Sequence, residues 1–352
     1  MHFMVIPALL TLLLQAGAAP QPPKKAPKAS TAPKVRISPM PKAGALYEHA
    51  PFGTGDCSLC HKGTDPKNPG PVLGPVADLC KGCHEQIQTN LAKMKFTHAA
   101  ALDSCTNCHN PHSSPNRHLL NVSMAELCFG CHDGAFQKMA TQSAVKHKAL
   151  TTGSSCTNCH DPHASNVEHL LIRLPYDLCI DCHNRDDMKD ERTGRPLTNM
   201  KKWLKENPAH HGPVEAKDCS ACHSPHGSDH QALLLEPYPP KFYSPFDPKN
   251  YSLCFRCHNP QLVTTERTTT LTKFRNGDVN LHFKHVNKAE NGRTCRACHE
   301  VHASKLAHQI REKVPYGSSG WMLPINFQQT PTGGSCTKTC HATGTYNNGG
   351  GK

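Results

Sequence analysis

The sequence predicts a mostly irregular chain with short α-helices and little or no β-sheet, folded around material that is not its own side chains. Three observations predict this. Of 352 residues only 37% are hydrophobic and 6% aromatic, too little apolar side chain to fill an ordinary core at this length. Thirty prolines and 24 glycines interrupt regular elements throughout. The 20 cysteines fall, with none left over, into ten short motifs, each closed by a histidine.

In chain order, residues 5–14 (V-I-P-A-L-L-T-L-L-L) form an apolar run followed by Ala16-Gly17-Ala18. This is the pattern of a secretory signal over residues 1–18, although no Lys or Arg precedes the run. A buried helix or a membrane anchor is the competing reading, but the run is short for a bilayer. No other stretch is apolar enough to cross a membrane once the signal is removed. Residues 19–45 hold six basic residues and no acid among Pro, Ala and Ser. They predict a disordered, partly polyproline linker.

Nine of the motifs are C-x-x-C-H: Cys57/Cys60, Cys80/Cys83, Cys105/Cys108, Cys128/Cys131, Cys156/Cys159, Cys179/Cys182, Cys219/Cys222, Cys254/Cys257 and Cys295/Cys298. The tenth, Cys336/Cys340, is C-x-x-x-C-H. C-x-x-C-H is the attachment signature of a c-type haem. Thiols three apart share one face of a helical turn, where each can form a thioether to a vinyl group, and the next residue can present an imidazole to the iron. The proximal ligands expected on this basis are His61, His84, His109, His132, His160, His183, His223, His258, His299 and His341. About ten covalent haems would supply the missing apolar core. Tetrahedral zinc sites would not explain a histidine after every second cysteine. At Cys336/Cys340 the extra residue turns the second thiol by about 100°, so a disulfide competes with haem there.

The motifs come in pairs, making five repeats. First cysteines within a pair are 23, 23, 23, 35 and 41 residues apart. First motifs follow Asp56, Ser104, Ser155, Asp218 or Thr294, all helix N-cap types. Second motifs follow Leu79, Leu127, Leu178 and Leu253, expected to pack on haem, and Ser335 in the last repeat. Residues 46–184 are expected to form three compact repeats (haems 1–6). Residues 185–345 would form two longer ones with insertions (haems 7–10), and 346–352 a flexible tail. Among the insertions, the proline-rich stretch 236–249 cannot be helical, and Lys201 to Glu206 should add a helical turn. Trp321 to Phe327 should be an apolar plug over the last haem, with an exposed docking patch as its alternative.

A second axial ligand is expected from histidines that recur with the repeat. Upstream of each pair lie His49, His98, His147, His211 (or His210) and His285 (or His282). Three residues after a proximal histidine lie His112, His163, His226 and His302. The first repeat lacks this last position. Among the remaining His118, His169, His230 and His308, His118 is chosen as the tenth candidate for its closeness to that repeat. The nine methionines do not recur with the motifs, which argues against methionine ligation.

These features resemble the doubled-CxxCH multihaem c-type cytochromes. The residues that carry the resemblance are H-x-P at His49 and His211, C-H-x-P-H at His109–His112, His160–His163 and His223–His226, the Leu pairs 119–120, 170–171 and 234–235, and L-C-x-x-C-H. It covers roughly residues 46–341. By haem number, signal and size the chain looks like the decahaem cytochromes that carry electrons through the periplasm and across the outer membrane, or outside the cell. The resemblance implies an exported electron-transfer protein rather than an enzyme, in the periplasm, at the outer membrane or extracellular. Its partners would be redox proteins, an outer-membrane barrel or copies of itself in a filament. The competing function is a reductase of a small oxyanion such as nitrite, which needs one open haem site. Formal charge is +12, but ten haems with two propionates each would bring it to −8 with every iron ferrous and to +2 with every iron ferric. No nucleic-acid motif is present, and no catalytic side chain is required.

Overall fold

In a computed structural model, residues 46–317, 320–337, 340 and 342–349 are described. The expected signal peptide and linker, the proximal candidate His341 and residues 350–352 of the expected flexible tail lie outside these residues; at the start of that tail Tyr346 and Asn347 instead belong to a strand, Gly344–Asn347, paired with Gly333–Cys336, and Asn348 is buried.

Each of the nine C-x-x-C-H motifs is one tight helical turn, whereas the first cysteine of the tenth, Cys336, ends a strand, Gly333–Cys336. The amide of the second cysteine and that of the histidine both donate to the carbonyl of the first cysteine, as in Cys60 and His61 to Cys57 (3.2 and 2.9 Å) and Cys108 and His109 to Cys105 (3.3 and 3.0 Å). This places two thiols and an imidazole on one side of the turn. First motifs sit on 3-10 turns, for example Cys105–Asn107 and Cys219–Ala221. Asp218 caps the latter by accepting from the Ala221 amide. Second motifs sit on α-helices, Val76–Lys81, Met124–Phe129, Pro175–Cys182 and Ser252–Phe255. The helix starts follow ordinary rules: Ser123 and Glu126 form a capping box, and Pro175 occupies a first-turn position that needs no amide.

The expectation of little or no β-sheet is overturned. Among the described residues there are six small antiparallel sheets. Three are joints between successive repeats. Tyr47–Glu48 pairs with Ser113–Ser114, Phe96–Thr97 with Ala164–Ser165, and Ala209–His210 with Ala303–Ser304. The fourth joint is a single bridge, Val145 with Ser228. In every joint the segment just before an upstream histidine pairs with the segment just after the C-H-x-x-H histidine of the next repeat. Strands of two residues show no alternating pattern in sequence, and their partners lie more than 60 residues away.

The joints are close-packed. Ser113, Ala164 and Ala303 are buried in them. At the equivalent Gly227, with φ of +141°, a Cβ would come 2.3 Å from the Met139 carbonyl oxygen. Ser114, Ser165, Ser228 and Ser304 each donate a hydroxyl hydrogen bond to a carbonyl six residues on, at Leu120, Leu171, Leu234 and Ile310. The same four carbonyl residues bridge back to the proximal histidines His109, His160, His223 and His299, closing a loop that recurs in four repeats.

The two larger insertions build conventional cores. Tyr238, Tyr251, Val263 and Val286 form one buried cluster, and Val314, Leu323 and Ile325 another. Met200–Glu206 is a helix; of the stretch 236–249, expected to be non-helical, residues 236–247 contain no helix, but Pro248 and Lys249 begin a 3-10 turn, Pro248–Tyr251, since proline is tolerated at a first-turn position. The segment expected as a plug is a strand, Met322–Pro324, paired with Lys313–Pro315. Leu323 and Ile325 point into the cluster while Trp321 is 54% exposed.

Candidate metal centres

The histidines of the attachment motifs are not alone. In nine cases the proximal ring faces a histidine from outside the motifs, with ring centroids 6.0–6.4 Å apart and planes within 6–21° of parallel. The pairs are His49–His84, His61–His112, His98–His132, His109–His163, His147–His183, His160–His226, His211–His258, His223–His302 and His282–His299.

One ring in each pair is held by its Nδ1. The proximal rings of the five first motifs donate to the carbonyl nine residues on, those of Gly70, His118, His169, Ala232 and His308, at 2.8–2.9 Å. Of the upstream rings, His49, His98 and His147 donate to the carbonyls of Pro111, Pro162 and Pro225 in the next repeat, at 2.9–3.0 Å. His211 does the same to Val301. A carbonyl can only accept, so the proton is on Nδ1 and Nε2 keeps its lone pair. Such a bond is the usual device that orients a metal-binding imidazole.

This arrangement fits an iron between the rings. Two metal–nitrogen bonds of about 2 Å, with each ring centre about 1 Å behind its nitrogen, need about 6 Å between centroids. Stacking of neutral rings also permits this distance. It does not explain why every pair takes one ring from an attachment motif and one from elsewhere. Protonation state agrees as well. Burial, reinforced by neighbouring imidazoles, pushes His282 and His302 down to about 4. Burial also lowers His147, His163, His183, His211, His226 and His299. Neutral imidazole is the form that binds metal.

The pairing follows a rule. An upstream histidine faces the second motif of its own repeat. A C-H-x-x-H histidine faces the first motif of the preceding repeat. The first repeat has no C-H-x-x-H histidine, and within the 352 residues there is no earlier first motif for one to face. The last repeat has no successor, and His282 stands in opposite His299.

His118, the tenth distal candidate, is exposed and contributes only its backbone carbonyl. His169 and His308 do likewise. All three adopt left-handed φ of 57–59°, matched by Gly70 at 74° and Ala232 at 53°; histidine tolerates that region better than most residues. His210 is bonded instead to Glu215 and to the Leu204 carbonyl. His285 shares the helix Leu281–Val286 with His282, one turn on, and its Nδ1 lies 2.6 Å from the Leu281 carbonyl.

The thiols also meet in pairs. The Cys80 thiol lies beside that of Cys105, Cys128 beside Cys156, Cys179 beside Cys219 and Cys254 beside Cys295. All twenty cysteines, Cys336 and Cys340 included, are free thiols, as thioether formation requires.

The attachment thiols are not equally enclosed. Cys83, Cys131, Cys182, Cys257 and Cys340 are exposed, whereas the other fifteen are half-buried. All five are the second thiol of a second motif. Helix ends account for three of the five, Cys83, Cys131 and Cys257; Cys182 lies inside Pro175–Cys182 and Cys340 follows a strand. Val76–Lys81 stops two residues before Cys83, and Ser252–Phe255 two residues before Cys257. The first thiol of each motif, Cys80 or Cys254, is turned onto the next repeat, while the second follows the helix end. Cys83 and Cys257 approach Cys60 and Cys222 of their own repeats, and their other side faces solvent. No helix among the described residues is long and apolar enough to cross a membrane.

Comparison with known proteins agrees with this geometry. The family described as the doubled CXXCH motif matches four times, at residues 49–89, 98–137, 147–188 and 211–262. The fifth repeat, with its longer spacing and C-x-x-x-C-H, is not among the matches. No curated protein matches the chain significantly. The matched segments coincide with the first four repeats defined by the ring pairs, and the chain belongs to the doubled-CXXCH family of multihaem, cytochrome-type electron-transfer proteins.

Proposed function

We propose that the chain binds ten c-type haems, at least nine of them between two imidazoles, and relays electrons between redox partners outside the cytoplasm. The observation that carries this reading is the set of nine opposed histidine pairs at 6.0–6.4 Å, each with one ring from an attachment motif. Bound haem would supply reversible one-electron iron chemistry. The residues do the rest. The twenty thiols would anchor the haem, the paired rings would hold its iron, and the carbonyls on Nδ1 would fix ring orientation and raise ligand basicity. With both positions filled, those nine sites leave no place for an oxyanion substrate, which favours a carrier over a reductase. The tenth site, at Cys336 and Cys340, would take His341 with His285 as the neighbouring candidate.

The test is the intact mass and pyridine haemochrome spectrum of the mature chain from a host competent in cytochrome maturation. The expected result is ten covalent haems per polypeptide and loss of residues 1–18. A colourless product with the mass of bare polypeptide contradicts the proposal.

A further inference from the structure

We infer that the ten attachment motifs form a single unbranched file in sequence order, so that the two ends of the electron path are the first and the last repeat. This rests on the function proposed above.

The argument comes from how each motif uses its two thiols. Motif three is typical. Its first thiol, Cys105, lies against Cys80 of motif two, where the helix Val76–Lys81 packs on the turn Cys105–Asn107. Its second, Cys108, lies close enough to Cys131 of motif four to feel its charge. The alternation repeats along the chain. First thiols touch across each boundary between repeats. Second thiols approach each other within each repeat. A motif therefore spends one thiol on the neighbour before it and the other on the neighbour after it.

Packing of the backbone follows the same order. The helix Val76–Lys81 lies on the turn Cys105–Asn107, Met124–Phe129 on Ser155–Asn158, and Pro175–Cys182 on Cys219–Ala221. Each is a second motif against the first motif of the next repeat. The ring pairs obey it too: His163 of the third site is next to His98 of the fourth, and His302 of the seventh next to His211 of the eighth. Each of these contacts joins consecutive motifs. A branched or clustered layout would need one motif to meet three others, and each has only two thiols, both engaged by sequence neighbours.

The file also has a visible end. Cys57, the first thiol of the first repeat, has no preceding motif, and its Sγ lies 3.6 Å from the Gly55 carbonyl instead. The cause of the linear order is the joint. Each repeat reaches forward only to the next, through one short sheet and one borrowed histidine, as units of a solenoid do.

The test is an electron cryo-microscopy map of the haem-loaded mature chain, traced to order the irons by their attachment motifs. The expected map shows irons one to ten in sequence order. The first and last would each have one neighbour within haem-contact distance and the others two. An iron with three such neighbours, or consecutive irons separated by a third, overturns the file while leaving the haem assignment intact. A map without porphyrin overturns both.

Discussion

Residues 46–184 and residues 185–345 carry the same repeat, yet they are held together differently. In the first three repeats the buried hydrophobic side chains are Leu120 and Ala164 alone, among the described residues. Leu46, Leu59, Leu73, Leu102 and Leu174 are all more than half exposed there. In the last two repeats, two clusters built on Tyr251 and Leu323 give the polypeptide a core of its own. The comparison teaches that the repeat specifies attachment and joints, not burial. Where the spacing between motifs stays at 23 residues few side chains are buried, and on the proposed function porphyrins would serve as core. Where insertions lengthen it, side chains share the work.

The largest difference should appear when haem is withheld. In a host lacking cytochrome maturation, limited proteolysis should cut within residues 46–184 at least about tenfold faster than within the segment holding the two clusters, since cleavage follows local opening. Equal rates in both halves would erase the distinction. Next in size, Leu323→Ala in the haem-loaded chain should cost about 2–5 kcal/mol of the stability of the last repeat. It should leave the absorption of the earlier sites unchanged in denaturant titrations. If it weakens the first three repeats equally, the two regions fold as one unit.

Gly227→Ala probes a joint rather than a core. The substituent meets the Met139 carbonyl at 2.3 Å in a backbone conformation that suits only glycine. A loss of about 1–3 kcal/mol is expected, with a disturbed ligand-field spectrum at the fifth site, whose His226 is the preceding residue. An unchanged spectrum would separate the joint from the ring pair.

The smallest effect is pH dependence confined to the second region. Burial pushes the Tyr251 phenol up to about 12, and burial also raises Tyr238. An unfolded tyrosine titrates near about 10. The stabilising contribution of these phenols is therefore complete below about pH 10 and is lost as the pH climbs toward the folded value. Alkaline titration followed by near-ultraviolet absorbance should show the Tyr238–Tyr251 cluster opening before the joints of the first three repeats. The reverse order would argue against it.

Much of the site was legible in the sequence because it recurs. The motifs, the upstream histidines and the C-H-x-x-H histidines each repeat at fixed offsets, and offset is what sequence preserves. The partnership between them was not legible. His112 serves His61 and not His109, its neighbour three residues away, because the joint folds each repeat back onto its predecessor. His118 looked like a ligand because it also recurs, at nine residues after a proximal histidine. The structure uses that position for its carbonyl and left-handed φ, which Gly70 and Ala232 supply equally well. The uneven enclosure of the thiols was hidden too: Cys83 and Cys257 sit in motifs spelled like the rest, and their exposure follows from which way the helix before them turns. The sheets at the joints were missed for a related reason: two-residue strands carry no periodicity, and their partners lie a whole repeat away.

The central claim is that the opposed ring pairs hold iron on both sides. Low-temperature electron paramagnetic resonance of the fully oxidised chain, with spins quantified per polypeptide, tests it most directly. The account predicts at least nine low-spin ferric centres per chain and no more than one high-spin centre. Two or more high-spin irons would mean that these rings face one another without sharing a metal.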